Sequence, residues 1–427
     1  MTTNEFIALH KAEDVADLAL RVRQYPEVDA AFALMQIAGW QKAVQKVPEL
    51  ASVEGWIWPK KLSMEQCSSE ETALIKRQIL GDDYRIGVDL TGGAGVDSFY
   101  LSEHAEAWHY VELQENLCTM AEQNFRLVKR PIQVHHCSAE SFAETMPDVD
   151  VAFIDPARRN EHGGKVFKLE DCTPDLRALL PTLLPHCKRL LIKLSPMLDI
   201  SEALRQLPAV AEVYVIAVRN EVKELLILIN KEKEQTDNHA ITAINIARET
   251  TESFSFTEAE EATAVAHYLS PSESLEGYLY EPNAAILKAG AFRLMSERYG
   301  LRKLGISTHL YHSCSLEEAF PGRVWQIRAI VDKSMQKLLI GQQANILTRN
   351  YPLKPEDIRK KLKLRDGGEQ YIIGARVADK ATLFFADRMD IGIIKRISNM
   401  IIGLSFFISL FPPRNLRLFQ SPEYQRQ

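Results

Sequence analysis

Several features are scarce or missing in this sequence. Only six cysteines occur in 427 residues, none is paired as C-x-x-C, and no histidine cluster has the spacing of a zinc site. We therefore expect neither a disulfide scaffold nor a bound metal, and scattered thiols suit a reducing cytosol. Charged residues interrupt every apolar stretch of residues 1–25, so no signal peptide is predicted. The sequence predicts a cytoplasmic protein, with the oligomeric state left open.

A long apolar run is also missing. Residues 400–411 (MIIGLSFFISLF) carry no charge, but this run has twelve residues, whereas a membrane-spanning helix needs roughly twenty. We expect a helix packed on the protein and no membrane contact. The rest of the tail, 391–427, receives no assignment.

Charge is distributed unevenly along the chain. The formal net charge is -6, yet residues 301–427 hold 21 Lys and Arg against 11 Asp and Glu. A basic C-terminal third on an acidic body favours an anionic partner such as a nucleic acid. An ordinary solvated surface explains the same count equally well. The length suggests two or three domains, since domains usually hold roughly 100–200 residues.

The hydrophobic pattern predicts an α/β fold after a helical start. Residues 1–80 repeat apolar residues at helical spacing, and Ser68 with Glu71 fits a capping box at the last helix of this region. Residues 81–232 alternate short apolar strands with helices, which predicts a parallel sheet covered on both faces.

The end of that sheet is distinctive. Only six residues separate the apolar strands Val213–Val218 and Leu225–Ile229, and a parallel crossover needs about a dozen. These strands must form an antiparallel hairpin. A Rossmann-like sheet of seven strands whose last strand is reversed is the sheet of class I methyltransferases, and a dinucleotide-dependent dehydrogenase would not usually end in this way.

The remainder reads as two further α+β regions. A polar linker is expected at 231–240, a connecting region at 241–320 and a third region at 321–390. In the third region we predict strands near 324–331, 337–341, 370–375 and 381–385, and a basic helix at 355–364.

The first candidate site is a glycine loop, VDLTGGAG, in which Asp89 ends a strand and Thr91, Gly93 and Gly95 lead into a helix. Glycines allow a close approach of the backbone to a ligand, and the N–H groups of the helix start bind a carboxylate. Ser98 stands where the dinucleotide fingerprint has its third glycine. The loop alone does not distinguish a dinucleotide from S-adenosylmethionine.

The next two strand ends add candidate ligand contacts. Glu112 ends the strand HYVEL, seventeen residues after Gly95, where an acidic side chain can accept both ribose hydroxyls. A surface glutamate at a strand end is the plainer alternative. Ser138 follows the third strand at the position where an adenine-binding acid commonly sits, and Glu140 is the other candidate for that contact.

The fourth strand ends in Asp155-Pro156-Ala157-Arg158-Arg159. Ligands of open α/β sheets bind at the carboxyl ends of the strands, so Asp155 and Pro156 are candidates for aligning an acceptor, and Arg158 and Arg159 for holding a phosphate. Two solvated arginines after a turn would look the same. Because no cysteine lies beside this motif in the sequence, carbon methylation through a thiolate adduct is disfavoured.

These motifs together resemble class I methyltransferases, and more narrowly the bacterial family that carries a THUMP-like C-terminal domain. The segments that extend the resemblance are LSMEQCSSEETALIKRQI (62–79), IKLSPMLDI (192–200), YLYEPNAAILKAG (278–290) and ANILTRNYPLKPEDIRKKLKLRDGGEQYI (344–372).

The resemblance implies a ferredoxin-like piece at about 278–320 and a THUMP-like domain at 321–390. It implies S-adenosylmethionine as cofactor, bound by Asp89, Gly93, Gly95 and Glu112, with Asp155 and Pro156 at the target. THUMP domains bind structured RNA, so methylation of ribosomal or transfer RNA is implied.

Two points qualify the expectation of an RNA methyltransferase. Lys360 and Lys361 on the basic helix would contact phosphates, although a solvated amphipathic helix has the same pattern. The fourth motif has Ala157 and Arg158 where many amino-methylating enzymes have an aromatic residue that stacks on a flipped base. The alternatives are a methyltransferase for a small molecule or protein, and a non-catalytic RNA-binding or assembly factor with a vestigial cofactor site.

Overall fold

Helices fill the first 80 residues. A computed structural model describes residues 1–158, 169, 172–233, 238–247, 250–270 and 272–390. The helices of the N-terminal region are α1 (Thr3–His10), α2 (Val15–Arg21), α3 (Ala30–Lys46), α4 (Pro48–Ala51), α5 (Lys61–Gln66) and α6 (Glu70–Leu80). The expectations for Arg159, for part of the polar linker and for the tail from 391 onward lie outside the described residues.

The last helix of this region, α6, begins one residue later than the capping-box prediction. Ser69 is the N-cap, and its hydroxyl accepts a hydrogen bond from the amide of Thr72 at 3.3 Å. The prediction that Ser68 caps the helix is therefore wrong. Ser68 is buried, and its hydroxyl binds the Asp97 carboxylate at 2.7 Å instead. Two adjacent serines make the cap ambiguous in the sequence, and the tertiary contact decides it.

A large sheet follows. Within the described ranges it has nine strands in the order β11-β10-β8-β9-β7-β4-β1-β2-β3. The strands are β1 (Ile86–Asp89), β2 (Ala107–Glu112), β3 (Ile132–His136), β4 (Val149–Ile154), β7 (Cys187–Leu194), β8 (Val210–Val218), β9 (Glu221–Asn230), β10 (Ala240–Ile246) and β11 (Thr251–Thr257). The helices between them are α7 (Val96–Leu101), α8 (Glu115–Leu127), α9 (Ala139–Ala143), α10 (Leu176–Leu183) and α11 (Ile200–Gln206).

The predicted hairpin is present, and it reverses one strand. Strand β9 runs antiparallel to both of its neighbours, β7 and β8, whereas β1 to β4 and β7 are parallel. The central strands are apolar on both faces because helices cover the sheet on each side. The expected class of fold, with its seven-stranded methyltransferase sheet, is confirmed.

The sheet is wider than the predicted core. Strands β10 and β11, which fall in the expected connecting region, pair onto the free edge of β8. Short alternating strands of this kind do not reveal their pairing partner in the sequence. The compact unit that contains the sheet comprises residues 1–259 together with 284–289, and the latter segment forms a helix, α13 (Ala284–Ala289).

The N-terminal helices share a hydrophobic core with the sheet. Trp56 and Trp58 pack in one buried cluster with Phe99, Tyr110 and Phe125. Helix α3 contributes Ala43 to the same cluster. Residues 1–80 are consequently part of the unit that carries the sheet.

The described part of the second compact unit comprises residues 260–270, 272–283 and 290–390. Within the described residues, one seven-stranded sheet spans the expected ferredoxin-like and THUMP-like regions in the order β13-β14-β12-β15-β18-β17-β16. Its strands are β12 (Tyr278–Pro282), β13 (Arg302–Gly305), β14 (Thr308–Ser313), β15 (Gly322–Ile330), β16 (Asn345–Arg349), β17 (Gln370–Val377) and β18 (Lys380–Met389). Two short strands, β5 (Ala157–Arg158) and β6 (Cys172–Thr173), pair in the first unit, and the remaining helices are α12 (Glu258–Thr263), α14 (Phe292–Arg298), α15 (Lys333–Leu339) and α16 (Pro355–Leu362).

One predicted strand of the second unit is a helix. Residues 337–341 were expected to be extended, but they form the end of α15 and its exit. The Asp332 carboxylate caps this helix by accepting a hydrogen bond from the Met335 amide at 2.8 Å. A short apolar run is compatible with either structure, and the aspartate before it favours the helix. A strand that was not predicted, β16, pairs with one edge of β17, and its mixed sequence NILTR shows little alternation.

None of the helices in the described ranges is long and apolar enough to span a membrane.

The reversed strand offers a test of the fold. Leu226 of β9 is fully buried in a cluster with Phe153, Leu191 and Ile216. Leu226→Ala should lower the free energy of unfolding by about 2–5 kcal/mol, because it removes buried methyl groups and leaves a cavity. Urea unfolding followed by circular dichroism measures this, with the exposed Leu20→Ala as control. Equal stability of the two variants would contradict the placement of β9.

Candidate active site

A cavity of about 800 Å³ opens at the carboxyl ends of the central strands of the first sheet. Its walls include six of the residues expected to bind cofactor or acceptor: Thr91, Gly93, Glu112, Ser138, Asp155 and Pro156. These residues follow four different strands, β1 to β4. Parallel strands place their carboxyl ends at one edge, which is why residues so distant in sequence surround one cavity.

The backbone of the glycine loop packs directly against the ring of Tyr110. A Cβ atom on Gly92 would lie 2.2 Å from the Tyr110 ring, so no larger residue fits there. Gly93 and Gly95 have φ of 54° and 79°, in the left-handed region that favours glycine. Gly95 is the N-cap of α7 and does not itself line the cavity. The loop therefore exposes backbone between Leu90 and Ala94 to the cavity.

Asp89 lies behind this loop and is not part of the cavity wall. Its carboxylate accepts hydrogen bonds from the Ser98 hydroxyl at 2.7 Å and from the Thr91 amide at 3.0 Å. Burial raises the pKa of Asp89 to about 7. The geometry gives Asp89 the role of fixing the loop to helix α7, while Ser98, which breaks the dinucleotide fingerprint, is its partner.

Glu112 reaches from the end of β2 to the glycine loop. Its carboxylate accepts hydrogen bonds from the Gly93 amide at 2.9 Å and from the Gln114 amide at 2.8 Å. Each carboxylate oxygen has two acceptor sites, so capacity remains for hydroxyl donors in the cavity. A carboxylate held in this way suits the two hydroxyls of a ribose. Ser138, on the neighbouring wall, caps α9 through the Ser141 amide at 3.1 Å.

Asp155 lies at the end of β4 and is fixed at two points. Its amide donates a hydrogen bond to the Thr91 hydroxyl at 2.7 Å, and its carboxylate accepts one from the Lys193 ammonium at 2.6 Å. The side chain is 36% exposed and faces the cavity, whereas Lys193 is 12% exposed. Asp155 thus presents a carboxylate to whatever occupies the cavity.

A buried group of charges lies behind Asp155 and was not predicted. Lys76, which is fully buried, contacts Asp97 at 2.9 Å and Glu224 at 2.9 Å. The Ser68 hydroxyl donates to Asp97, and it accepts from Lys76 at 2.8 Å and from Lys193 at 3.3 Å. We call these residues the buried charge network, and the partly exposed Asp155 lies at its edge.

Two opposing effects set the pKa values in the network. Burial alone would raise the pKa of Asp97, but Lys76 and Lys193 outweigh burial and lower it. Burial raises the pKa of Asp155, and Lys193 opposes that rise. Burial acts to lower the pKa of Lys193, yet the Asp155 and Glu224 carboxylates outweigh it and raise the pKa.

The sequence contained a signal for the buried charge network. Lys193 interrupts the apolar strand LLIKL, and Lys76 interrupts the apolar face of a helix, ALIK. A lone lysine in a buried apolar run requires a paired carboxylate. The partners Asp97 and Glu224 come from α7 and β9, and the sequence does not show which carboxylates meet these lysines.

Cysteines are closer to the fourth motif than the sequence indicated. Cys172 pairs with Arg158 across β5 and β6, and both Cys172 and Cys67 line the cavity. The expectation that no cysteine lies beside this motif is therefore wrong in space, because the chain returns to the motif after residue 171. Burial raises the pKa of the Cys67 thiol, which disfavours the thiolate.

None of the four candidate phosphate-binding residues, Arg158, Arg159, Lys360 and Lys361, can be placed at the cavity. Arg158 is the second residue of β5, and its side chain and all of Arg159 lie outside what the structure describes. Lys360 and Lys361 belong to the second unit, where both are exposed on α16. No carboxylate of the described residues pairs with either lysine, whereas their neighbour Arg359 pairs with Asp366 at 2.7 Å. Among the described residues, no cluster of His, Cys, Asp and Glu could hold a metal ion.

The strand order, the reversed β9 and the cavity at the carboxyl edge define a class I methyltransferase fold. Two family models match the C-terminal part: a ferredoxin-like domain at residues 278–321 and a THUMP domain-like model at residues 322–388.

Comparison with solved structures extends this result. A "putative methyltransferase" from Porphyromonas gingivalis W83 is 32% identical, with 91% of this chain and 98% of that one covered and a TM-score of 0.79. The chain belongs to the same family, the class I methyltransferases with a THUMP-like C-terminal domain and a ferredoxin-like segment before it.

Other matches cover less of the chain. An rRNA methylase from Streptococcus thermophilus is 15% identical, covering 38% of this chain and 96% of that one, with a TM-score of 0.30. A SAM-dependent methyltransferase from Agrobacterium tumefaciens is 18% identical, covering 38% and 60%, with a TM-score of 0.28. A search of curated proteins found no significant match.

The buried position of Asp89 behind the loop can be tested through the pH dependence of the free energy of unfolding. Because burial raises the pKa of Asp89 to about 7, the folded protein binds this proton more tightly than the unfolded chain does. Its contribution to stability is present below about pH 4 and is lost as the pH rises through 7. Asp89→Asn, which mimics the neutral acid, should therefore flatten the fall in unfolding free energy between pH 5 and 8.

Urea unfolding at several pH values measures the slope, and Glu115→Gln on the exposed start of α8 is the control. An unchanged slope in Asp89→Asn would contradict the structural role assigned to this carboxyl.

Proposed function

We propose that this protein is an S-adenosylmethionine-dependent RNA methyltransferase whose active site is the cavity of the first unit. The observation that carries the proposal is the convergence of Glu112, the glycine loop and Asp155 on one cavity. The other candidate site residues assigned to the cofactor are Thr91, Gly93 and Ser138, with Asp89 and Gly95 supporting the loop from behind.

The residues present fit S-adenosylmethionine. The exposed loop backbone before α7 suits the carboxylate of a methionine moiety, and Glu112 has free acceptor capacity for ribose hydroxyls. The cavity volume of about 800 Å³ leaves room for an acceptor group beside the cofactor, in the usual range of ligand pockets.

When bound, the cofactor supplies a methyl group on a positively charged sulfur, so the protein has mainly to align and desolvate the acceptor. Asp155 is the group available for alignment, because its carboxylate faces the cavity at the strand end. Pro156 fixes the backbone immediately after it and lines the same wall. The Thr91 hydroxyl joins this strand end to the glycine loop, so Asp155 and the proposed cofactor-binding loop are held in a fixed relative position.

The second unit supports RNA as the substrate class. Its THUMP-like match covers residues 322–388, and α16 exposes Lys360 and Lys361 without an ion-pair partner among the described residues. Unpaired lysines on one helix suit phosphate contacts, which position a nucleic acid without reading its sequence. Arg158 and Arg159, which follow Asp155-Pro156 in the sequence, are proposed to hold a phosphate.

Cofactor binding is the first test. Calorimetric titration with S-adenosylmethionine should show micromolar affinity, and titration with NADH should show none. Glu112→Ala should weaken the affinity at least tenfold, about 1.4 kcal/mol, because the ribose loses its acceptor. Glu115→Ala, three residues further on and exposed, should bind as the wild type does. An absence of binding to the wild type would favour the assembly-factor alternative.

Methyl transfer to RNA is the second test. Total RNA from a strain that lacks this gene should accept a tritiated methyl group from S-adenosylmethionine, and Asp155→Ala should abolish transfer while cofactor binding persists. Protein extract and a small-molecule extract from the same strain serve as competing acceptors. Labelling of either extract, with none of the RNA, would establish the alternative substrate class.

The role of α16 is tested by salt. The double variant Lys360→Gln, Lys361→Gln should lower RNA affinity and reduce the slope of log affinity against log salt by about 2, one for each lost phosphate contact. Filter binding between 50 and 200 mM salt measures the slope, and Lys42→Gln, Lys129→Gln in the first unit removes the same charge as a control. An unchanged slope would remove α16 from the RNA contact.

A further inference from the structure

Lys193 lines the cavity and forms a hydrogen bond with Asp155. An ammonium group has three donors, and two of them are used here: one binds Asp155 at 2.6 Å and one binds the Ser68 hydroxyl at 3.3 Å. The Glu224 carboxylate lies 3.9 Å away as an ion pair. These contacts direct the ammonium group of Lys193 towards Asp155 and the charges behind it.

The hydrogen bond from Lys193 gives the two oxygens of the Asp155 carboxylate different surroundings. Oδ2 accepts the Lys193 hydrogen bond. The other oxygen has no hydrogen-bond partner among the side chains and amides that the structure describes, and the residue lines the cavity. One oxygen is anchored inward, and the other remains available to an N–H or O–H group of an acceptor.

Lys193 is itself held from behind. The Ser68 hydroxyl accepts from both Lys193 and Lys76 and donates to Asp97, which uses its one donor and both acceptor sites. Lys76 is in turn fixed between Asp97 and Glu224. The ammonium group of Lys193 therefore has little freedom to leave Asp155.

Titratable groups surround Asp155 and its partners on every element that carries the network: Asp89 on β1, Asp97 on α7, Lys76 on α6, Lys193 on β7, Glu224 on β9, and Cys67 with Lys46 beyond them. Those that act on Asp155 itself are Lys193, Asp97, Lys76 and Asp89. Asp89 and Asp97 are both acidic and disfavour a charge on Asp155. Lys193 is the cation in direct contact with it, and Lys76 acts from further away.

We propose that Lys193 is a positioning residue that acts through Asp155: it anchors one carboxylate oxygen and keeps the group charged, so that the other oxygen can accept a hydrogen bond from the methyl acceptor. This inference rests on the proposed function for its meaning, but the state of Asp155 can be measured without any acceptor. Because Lys193 binds one oxygen of Asp155 and opposes the rise in its pKa, Asp155 is assigned the role of orienting the acceptor.

The experiment follows the Asp155 carboxyl by ¹³C NMR in protein labelled at the aspartate carboxyl carbons, with the Asp155 signal assigned by its loss in Asp155→Asn. In Lys193→Met the midpoint of the Asp155 titration should rise by at least one pH unit, because the opposing cation is gone. Lys193→Arg retains the charge and should leave the midpoint close to that of the wild type. Calorimetry should show that Lys193→Met and Lys193→Arg bind S-adenosylmethionine with an affinity within about threefold of the wild-type affinity.

An unchanged midpoint in Lys193→Met would overturn the proposal, and so would loss of cofactor affinity in that variant, since Lys193 would then serve the cofactor site. If Lys193→Met does not fold, Asp155→Asn answers the same question: the ¹⁵N signal of the Lys193 ammonium should titrate at lower pH than in the wild type, and an unchanged titration would overturn the proposal.

Activity separates the two claims. With the same labelled cofactor and RNA, the acidic limb of the pH profile should move upward in Lys193→Met by the shift that NMR records. A wild type that transfers no methyl group to RNA would contradict the proposed function, while the NMR titration would still decide the role of Lys193.

Discussion

The Ser68 hydroxyl lies at the centre of the buried charge network. Two lysines donate to it, and it donates to one carboxylate. These contacts join the chain before α6 to α6, α7 and β7, and the two lysines extend them to Asp155 after β4 and to Glu224 on β9. Three carboxylates and two ammonium groups are balanced there, and removing one partner of such a buried pair typically costs about 3–5 kcal/mol. The edge of the sheet where the cavity opens is thereby fixed in place.

The network also explains why the helical start belongs with the sheet. Ser68 and Lys76 come from the N-terminal region, yet their partners lie on α7 and β9. The tryptophans of that region complete the packing against Phe99 and Phe125. Residues 1–80 therefore complete the wall of the cavity, to which Ser63, Gln66 and Cys67 contribute. Without residues 1–80, the first unit would lack the Ser68 hydroxyl and one wall of the cavity.

Much of the fold follows from local pattern. Strands β1 to β4 and β7 are short runs rich in apolar residues that end at or just before a polar residue. The six residues between the predicted strands Val213–Val218 and Leu225–Ile229 permit only a hairpin. The pairing of β10 onto β8 could not be predicted, because alternation shows that a strand exists and says nothing of its neighbour. Residues 337–341 were predicted as a strand because a short apolar run has no clear period, and tertiary packing resolved it as the end of α15.

The candidate site was predictable as far as its residues follow strand ends. Glu112 and Asp155 could be selected because the carboxyl edge of a parallel sheet is where ligands bind. The network behind them could not, since its members Lys76, Asp97, Lys193 and Glu224 are separated by up to 148 residues in the sequence. For Asp89, position at a strand end was misleading about the surroundings of the side chain. That position predicts contact with a ligand, but the carboxylate points to Ser98 behind the glycine loop.

The most direct test of the account is a crystal structure of the full chain with S-adenosylhomocysteine. We expect the ribose hydroxyls within hydrogen-bond distance of the Glu112 carboxylate and the amino-acid moiety on the loop between Leu90 and Ala94. The sulfur should face the Asp155 carboxylate, with the Lys193 contact intact. A ligand bound elsewhere, or bound in this cavity with its ribose away from Glu112 and its sulfur away from Asp155, would contradict it.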